Sequence, residues 1–178
     1  EGGMRVPFIA RWPRGGLVAG RICAELASMM DLLPTLAALA EAPLPRDHVI
    51  DGKNILALLR DPERRRTPYD AFLYYYMGQL QAVRAGRWKL HLPLASKRHG
   101  WHRPPYEERG QLYDLDSDVS ERVNLFDARP DVVSRLSALA AAAAADIGNE
   151  DRDGRRQRPA GWVERARPLT LVRSGQRP

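Results

Sequence analysis

The sequence predicts a mixed chain in which the end of an α/β unit is followed by a small antiparallel α+β unit, and three observations carry that expectation. A short unbroken apolar run, Val6, Pro7, Phe8, Ile9 and Ala10, precedes two helix-period segments within residues 1–60. From Ala71 the hydrophobic period changes to two, with turn residues at hairpin spacing. A proline-initiated helical stretch then opens at Pro130.

The leading run follows Gly2-Gly3 and has the composition of a strand buried on both faces. Such a strand needs a neighbour on each side and helices above and below, so its partners are expected to lie outside this sequence. In "ELASMMDLLPTLAALAEAP", Met30, Leu33, Leu36, Ala37 and Ala40 recur at helical spacing, and Pro34 is tolerated if the helix begins near Asp31. Pro43 and Pro45 stop it. "IDGKNILALLRDP" adds a turn at Asp51-Gly52 and a short helix whose Ile55, Leu58 and Leu59 can face a core.

Three successive antiparallel strands follow in "AFLYYY" and "QLQAVRAGRWKLHL", with turns expected at Met77-Gly78 and Ala85-Gly86. In the third strand Trp88, Leu90 and Leu92 alternate with Arg87, Lys89 and His91, giving one apolar and one basic face. After a loop from Pro93 to Gly110, "QLYDLD" supplies a fourth strand with Leu112 and Tyr113 on opposite faces. The helix from Pro130 carries Val133, Leu136, Ala140, Ala143 and Ile147 as its stripe and can be closed by Gly148. The expected units are therefore residues 1–60, 71–148 and a tail, 149–178.

The net charge of +6 resides mainly in that tail. From Asp151 to Pro178 eight Arg face three acids, a net of +5, which leaves +1 for residues 1–150. A near-neutral body with an Arg-, Pro- and Gly-rich extension predicts a mobile or surface-hugging tail and no nucleic-acid partner. No apolar run approaches membrane-spanning length, so no membrane partner is expected either. Cys23 is the sole cysteine, which excludes an internal disulfide and a Cys-rich metal cluster.

Four blocks in order, "EGGMRVPFIARWPRG", "MDLLPTLAALA", "AVRAGRWKLH" and "QLYDLDSDVSERVNL", followed by a Pro-initiated helix, resemble the C-terminal part of a sulfatase of the arylsulfatase type. The resemblance implies a large α/β domain related to alkaline phosphatase, ending in a smaller four-stranded sheet with a helix. It also implies hydrolysis of sulfate esters by a formylglycine made from a Cys/Ser-x-Pro-x-Arg motif, with a divalent cation, usually calcium, held by Asp and Asn oxygens. Cys23 is followed by Ala-Glu-Leu-Ala and does not match that motif. By the resemblance, the metal-binding Asp-Asn pair and a sulfate-contacting Lys would lie just upstream of Glu1, so this chain alone is expected to bind no calcium and to lack the catalytic centre. Pairing with the missing N-terminal segment is the implied partnership, and the sulfate ester would be the substrate of the whole.

Within the chain, the loop "PLASKRHGWHRPPYEERG" has the composition to meet an anionic, ring-bearing ester. Some arylsulfatases place a His eight residues beyond the His of Lys-x-His, and His99 stands eight beyond His91. His99 is the first candidate for substrate binding, with Lys97 and His102 behind it. The alternating Asp114, Asp116 and Asp118 lack the Gly and distal Glu of an EF-hand and are expected to end a strand. The alternative to a sulfatase portion is a non-catalytic polyanion-binding or interaction module.

Overall fold

The computed structural model describes residues 4–94, 109–150, 152–159 and 161–165. Two 3-10 turns, Pro13–Gly15 and Met29–Asp31, precede helices α1 (Leu32–Leu39) and α2 (Leu56–Arg60). Strands β1 (Phe72–Tyr76), β2 (Gln79–Ala85), β3 (Trp88–His91) and β4 (Gln111–Asp114) follow, and helix α3 (Pro130–Ile147) completes a mixed α+β architecture.

The four strands form one antiparallel sheet in the order β1-β2-β3-β4. Met77 and Gly78 both take positive φ, +48° and +82°, as a tight two-residue turn matched to strand twist requires. The second turn is Gly86-Arg87, one residue later than expected, because Ala85 remains paired with Trp88. Leu73, Val83, Leu90 and Leu112 stand opposite one another across the four strands and point to the same face. Helix α3 covers that face through Val132, Leu136, Leu139, Ala140 and Ala143. The buried stripe thus leads with Val132, while Ile147, expected at its far end, is exposed. Gly148 closes the helix with its N–H on the Ala144 carbonyl.

The N-terminal part departs further from expectation. Residues 5–12 form no strand, and Val6, Phe8 and Ile9 are exposed, Ile9 at 92%. A strand exists only when a neighbour accepts its backbone hydrogen bonds, and no described segment does so here. Helix α1 begins after Asp31 as predicted, but its apolar positions Met30, Leu33 and Leu36 face outward. Its buried side is polar. Asp31, fully buried, accepts hydrogen bonds from Ser28 N (2.7 Å), Lys53 N (2.7 Å) and the Tyr69 hydroxyl. Thr35 Oγ1 accepts from Ile55 N at 3.0 Å, so α1 is tied to the start of α2, where Ile55 and Leu58 are buried as expected.

The tail follows the surface. Arg156 makes a two-pronged pair with Asp146 (2.6 and 2.7 Å), and Arg158 donates to the Val49 carbonyl (2.8 Å) and to Asp51. Among the described residues no helix is long and apolar enough to cross a membrane.

Backbone amides of Val83, Leu90 and Leu112 should exchange with solvent on the order of 10³-fold more slowly than those of residues 5–12, because only the former open with the α3-covered core. Amide-resolved hydrogen exchange measures this, and equal protection of both sets would contradict the packing described.

Candidate functional site

The sheet face opposite α3 gathers the side chains that alternate with the core row. Phe72, Arg84, Lys89 and Tyr113 are register partners there, as are Tyr74, Ala82, His91 and Gln111. The sequence predicts that Lys89 and His91 share a face, and they do. That face is not simply solvated, however: Lys89 is buried, its side chain only 4% exposed, and His91 is half-buried.

What covers them is the loop after β4. Asp118 Oδ2 accepts from the backbone N–H groups of Arg122 (2.7 Å) and Val123 (2.8 Å), and Glu121 N donates to the Asp118 carbonyl (3.1 Å). The resulting turn places Glu121 at φ +54°, a left-handed conformation that disfavours a non-glycine residue. Asn124 then fastens the loop to the edge of β4: its Oδ1 accepts from Leu112 N (3.1 Å), while Leu125 N donates to the Leu112 carbonyl (2.8 Å). Glu121 Oε1 lies 2.8 Å from Lys89 Nζ and 3.2 Å from His91 Nε2. Lys89 Nζ also sits 4.9 Å from the centre of the Tyr74 ring, and His91 meets Tyr113 edge-to-face at 5.7 Å.

Burial alone would push the Glu121 carboxyl up. Hydrogen bonds from His91 and Lys89, with the charge of Lys89, outweigh burial and hold it down at about 2. At the β2–β3 turn a second pair forms, in which Arg87 clasps Asp114 with both nitrogens and holds that carboxyl below the usual range. Asp114 ends β4, and its oxygens fix the following turn through Asp116 N, Ser117 N and Asp118 N, so the "YDLDSD" run is a strand end as expected. Arg129 stacks on Trp88 at 4.9 Å from the other side.

The Lys89–Glu121–His91 cluster contains no activated nucleophile. Its chemistry is to hold charge still at the end of β3, from which the chain leaves towards the candidate substrate loop. Lys97, His99 and His102 lie outside the described residues, so the structure brings none of them to a site. Glu121 is the residue that sequence reasoning missed: Lys-x-His on one strand face announces a basic site, but no spacing rule selects its carboxylate from a loop thirty residues away. Among the described residues no three His, Cys, Asp or Glu side chains converge to hold a cation, so calcium finds no ligand set in that part of the chain.

Residues 67–163 match the family profile of the C-terminal region of aryl-sulfatase. The chain is 49% identical over 84 residues to the steryl-sulfatase of Mus musculus, which covers 47% of this chain and 13% of that protein. It is 36% identical over 163 residues to human arylsulfatase A, covering 78% of this chain and 30% of the relative. A solved structure concerned with the metabolism of multiple glycosaminoglycans by Bacteroides thetaiotaomicron aligns with TM-score 0.51 and 30% identity, over 64% of this chain and 24% of its own. A sheet-and-helix unit closed on one face by α3 and on the other by an ion-paired loop is thus the form in which this chain presents a known hydrolase region. The chain belongs to the sulfatases, a family of sulfuric ester hydrolases, through their C-terminal region. It spans less than a third of the length of these relatives.

Because Glu121 is harder to protonate in the folded chain than at its ordinary value of 4.5, its contribution to stability is complete above about pH 4.5 and drains as pH falls towards 2. Glu121→Gln should remove that contribution and flatten the stability profile across this window. Denaturant unfolding of both proteins between pH 2 and 6 tests it, and parallel profiles would count against the ion pair.

Proposed function

We propose that this chain is the C-terminal part of an enzyme that hydrolyses sulfate esters, with the formylglycine nucleophile and the divalent cation contributed by sequence outside residues 1–178. In this reading residues 1–60 close the α/β catalytic domain, 71–148 are the sheet-and-helix subdomain and 149–178 form a basic tail. The observation that carries it is the match of residues 67–163 to the C-terminal region of aryl-sulfatase. It is supported by the outward-facing apolar side chains of Val6, Phe8, Ile9, Leu33 and Leu36, a surface suited to packing against further α/β structure.

The segment between β3 and β4 meets the ester in this reading, with His99 hydrogen-bonding the sulfate or the leaving oxygen and Lys97 and His102 offsetting its charge. The Lys89–Glu121–His91 cluster fixes the strand from which that segment departs. Formylglycine, when present, supplies an oxygen nucleophile to sulfur. This chain's own residues would bind and orient the ester.

The 178-residue chain alone should not turn over an aryl sulfate with calcium present, whereas the same chain joined to a region bearing Cys/Ser-x-Pro-x-Arg should. In the joined protein His99→Ala should lower kcat/KM on the order of 10²-fold. Metal-dependent turnover that copurifies with the 178-residue chain would refute the division of labour, and an unaffected His99→Ala variant would remove His99 from the site.

A further inference from the structure

We propose that Trp12 and the arginines around it form a binding subsite for a sulfated saccharide chain. Trp12 caps the 3-10 turn Pro13–Gly15, and its carbonyl accepts from Gly15 N (3.0 Å) and Leu17 N (3.4 Å). The curled backbone brings Gly15 directly beneath the indole. A Cβ at position 15 would fall 1.8 Å from ring atoms Cδ2 and Cε3, so only glycine lets the ring lie there. The ring is held from below, yet Trp12 remains 40% exposed. It is a fixed apolar platform open to solvent.

Sequence-distant arginines are brought beside it. Arg60 Nε donates to the Gly15 carbonyl at 3.0 Å, which sets the end of α2 against the platform. Beyond Arg60 the chain turns back, with Arg65 N on the Asp61 carbonyl (3.0 Å), and the turn is held by Arg21 on Glu63 and Arg66 on Glu25. Residues 11–25 and 60–67 together carry seven Arg against three acids, a net +4, although residues 1–150 as a whole carry only +1. Arg11, Arg14, Arg64 and Arg65 are exposed and have no carboxylate partner among the described residues.

Exposed arginines alone would be a hydrated surface. The immobilised indole among them is what sets this patch apart. Guanidinium forks grip sulfate oxygens two at a time, and a flat aromatic face takes the apolar side of a sugar ring. Together they fit a polymer in which rings and anionic groups alternate. Nucleic acid presents a related pattern. The choice of a sulfated saccharide over it rests on the sulfatase reading.

The test is titration calorimetry on the 178-residue chain with a heparin-type hexasaccharide, its desulfated counterpart and a single-stranded oligonucleotide of equal charge. The sulfated sugar should bind, the desulfated one should not, and the oligonucleotide should bind more weakly. Trp12→Ala and the double variant Arg64→Ala, Arg65→Ala should each weaken sugar binding roughly tenfold. Trp12→Phe, which keeps a flat ring, should stay within about threefold of the parent. The tail variant Arg165→Ala should leave binding unchanged. Absent sugar binding, an oligonucleotide that binds as tightly, equal loss in the tail variant, or equal loss with Trp12→Phe and Trp12→Ala would each overturn the proposal. No turnover is measured, so failure here leaves the sulfatase reading standing, and an inactive chain leaves this result standing.

Discussion

The ion pair between Lys89 and Glu121 is the constraint on which the sheet unit depends. β3 is an interior strand, so when Leu90 points into the α3 core its neighbour Lys89 must point to the opposite face, between β2 and β4. There the ammonium has almost no access to water. A buried charge without a partner costs several kcal/mol, more than most single contacts return. Glu121 removes that cost, and the backbone turn built by Asp118 delivers it there despite an unfavourable φ. The loop and the strand therefore specify each other.

That pairing closes the second face of the sheet as α3 closes the first, and the two halves of the chain differ accordingly. In residues 71–148 the apolar row is inside and the charges are matched. In residues 4–60 the inside is organised by the carboxylate of Asp31 and the hydroxyl of Thr35, while aliphatic side chains look outward. Arg158, on Val49 and Asp51, links the tail to this first part, and Arg156, on Asp146, links it to α3. The basic tail thus spends part of its charge on the body of the protein.

Much of the sheet unit was legible in the sequence because local signals and packing agree there. Period-two alternation, Met77-Gly78, and Pro130 with Gly148 each specify one local geometry, and the fold uses it. The second turn slipped by one residue because Gly86 suits either placement. The Val6–Ala10 run is misleading for a different reason: apolar composition records a preference for burial, whereas a strand requires a partner, and none is described for it. Helix α1 shows the same limit, since periodicity locates a stripe without saying what lies against it. At the candidate site, the alternation identified Lys89 and His91 as one face, and the burial of Lys89 followed only from a loop whose position depends on Asp118 and Asn124.

A double-mutant cycle in denaturant unfolding, with Lys89→Met and Glu121→Gln separately and together, tests the central claim most directly. Each single variant leaves a buried group unmatched and should lose about 3 kcal/mol, whereas the double variant should lose far less than the sum, for a coupling of about 2 kcal/mol or more. Losses that add to within about 0.5 kcal/mol would mean that the two residues do not sense each other, and the account of a sheet closed on both faces would fail.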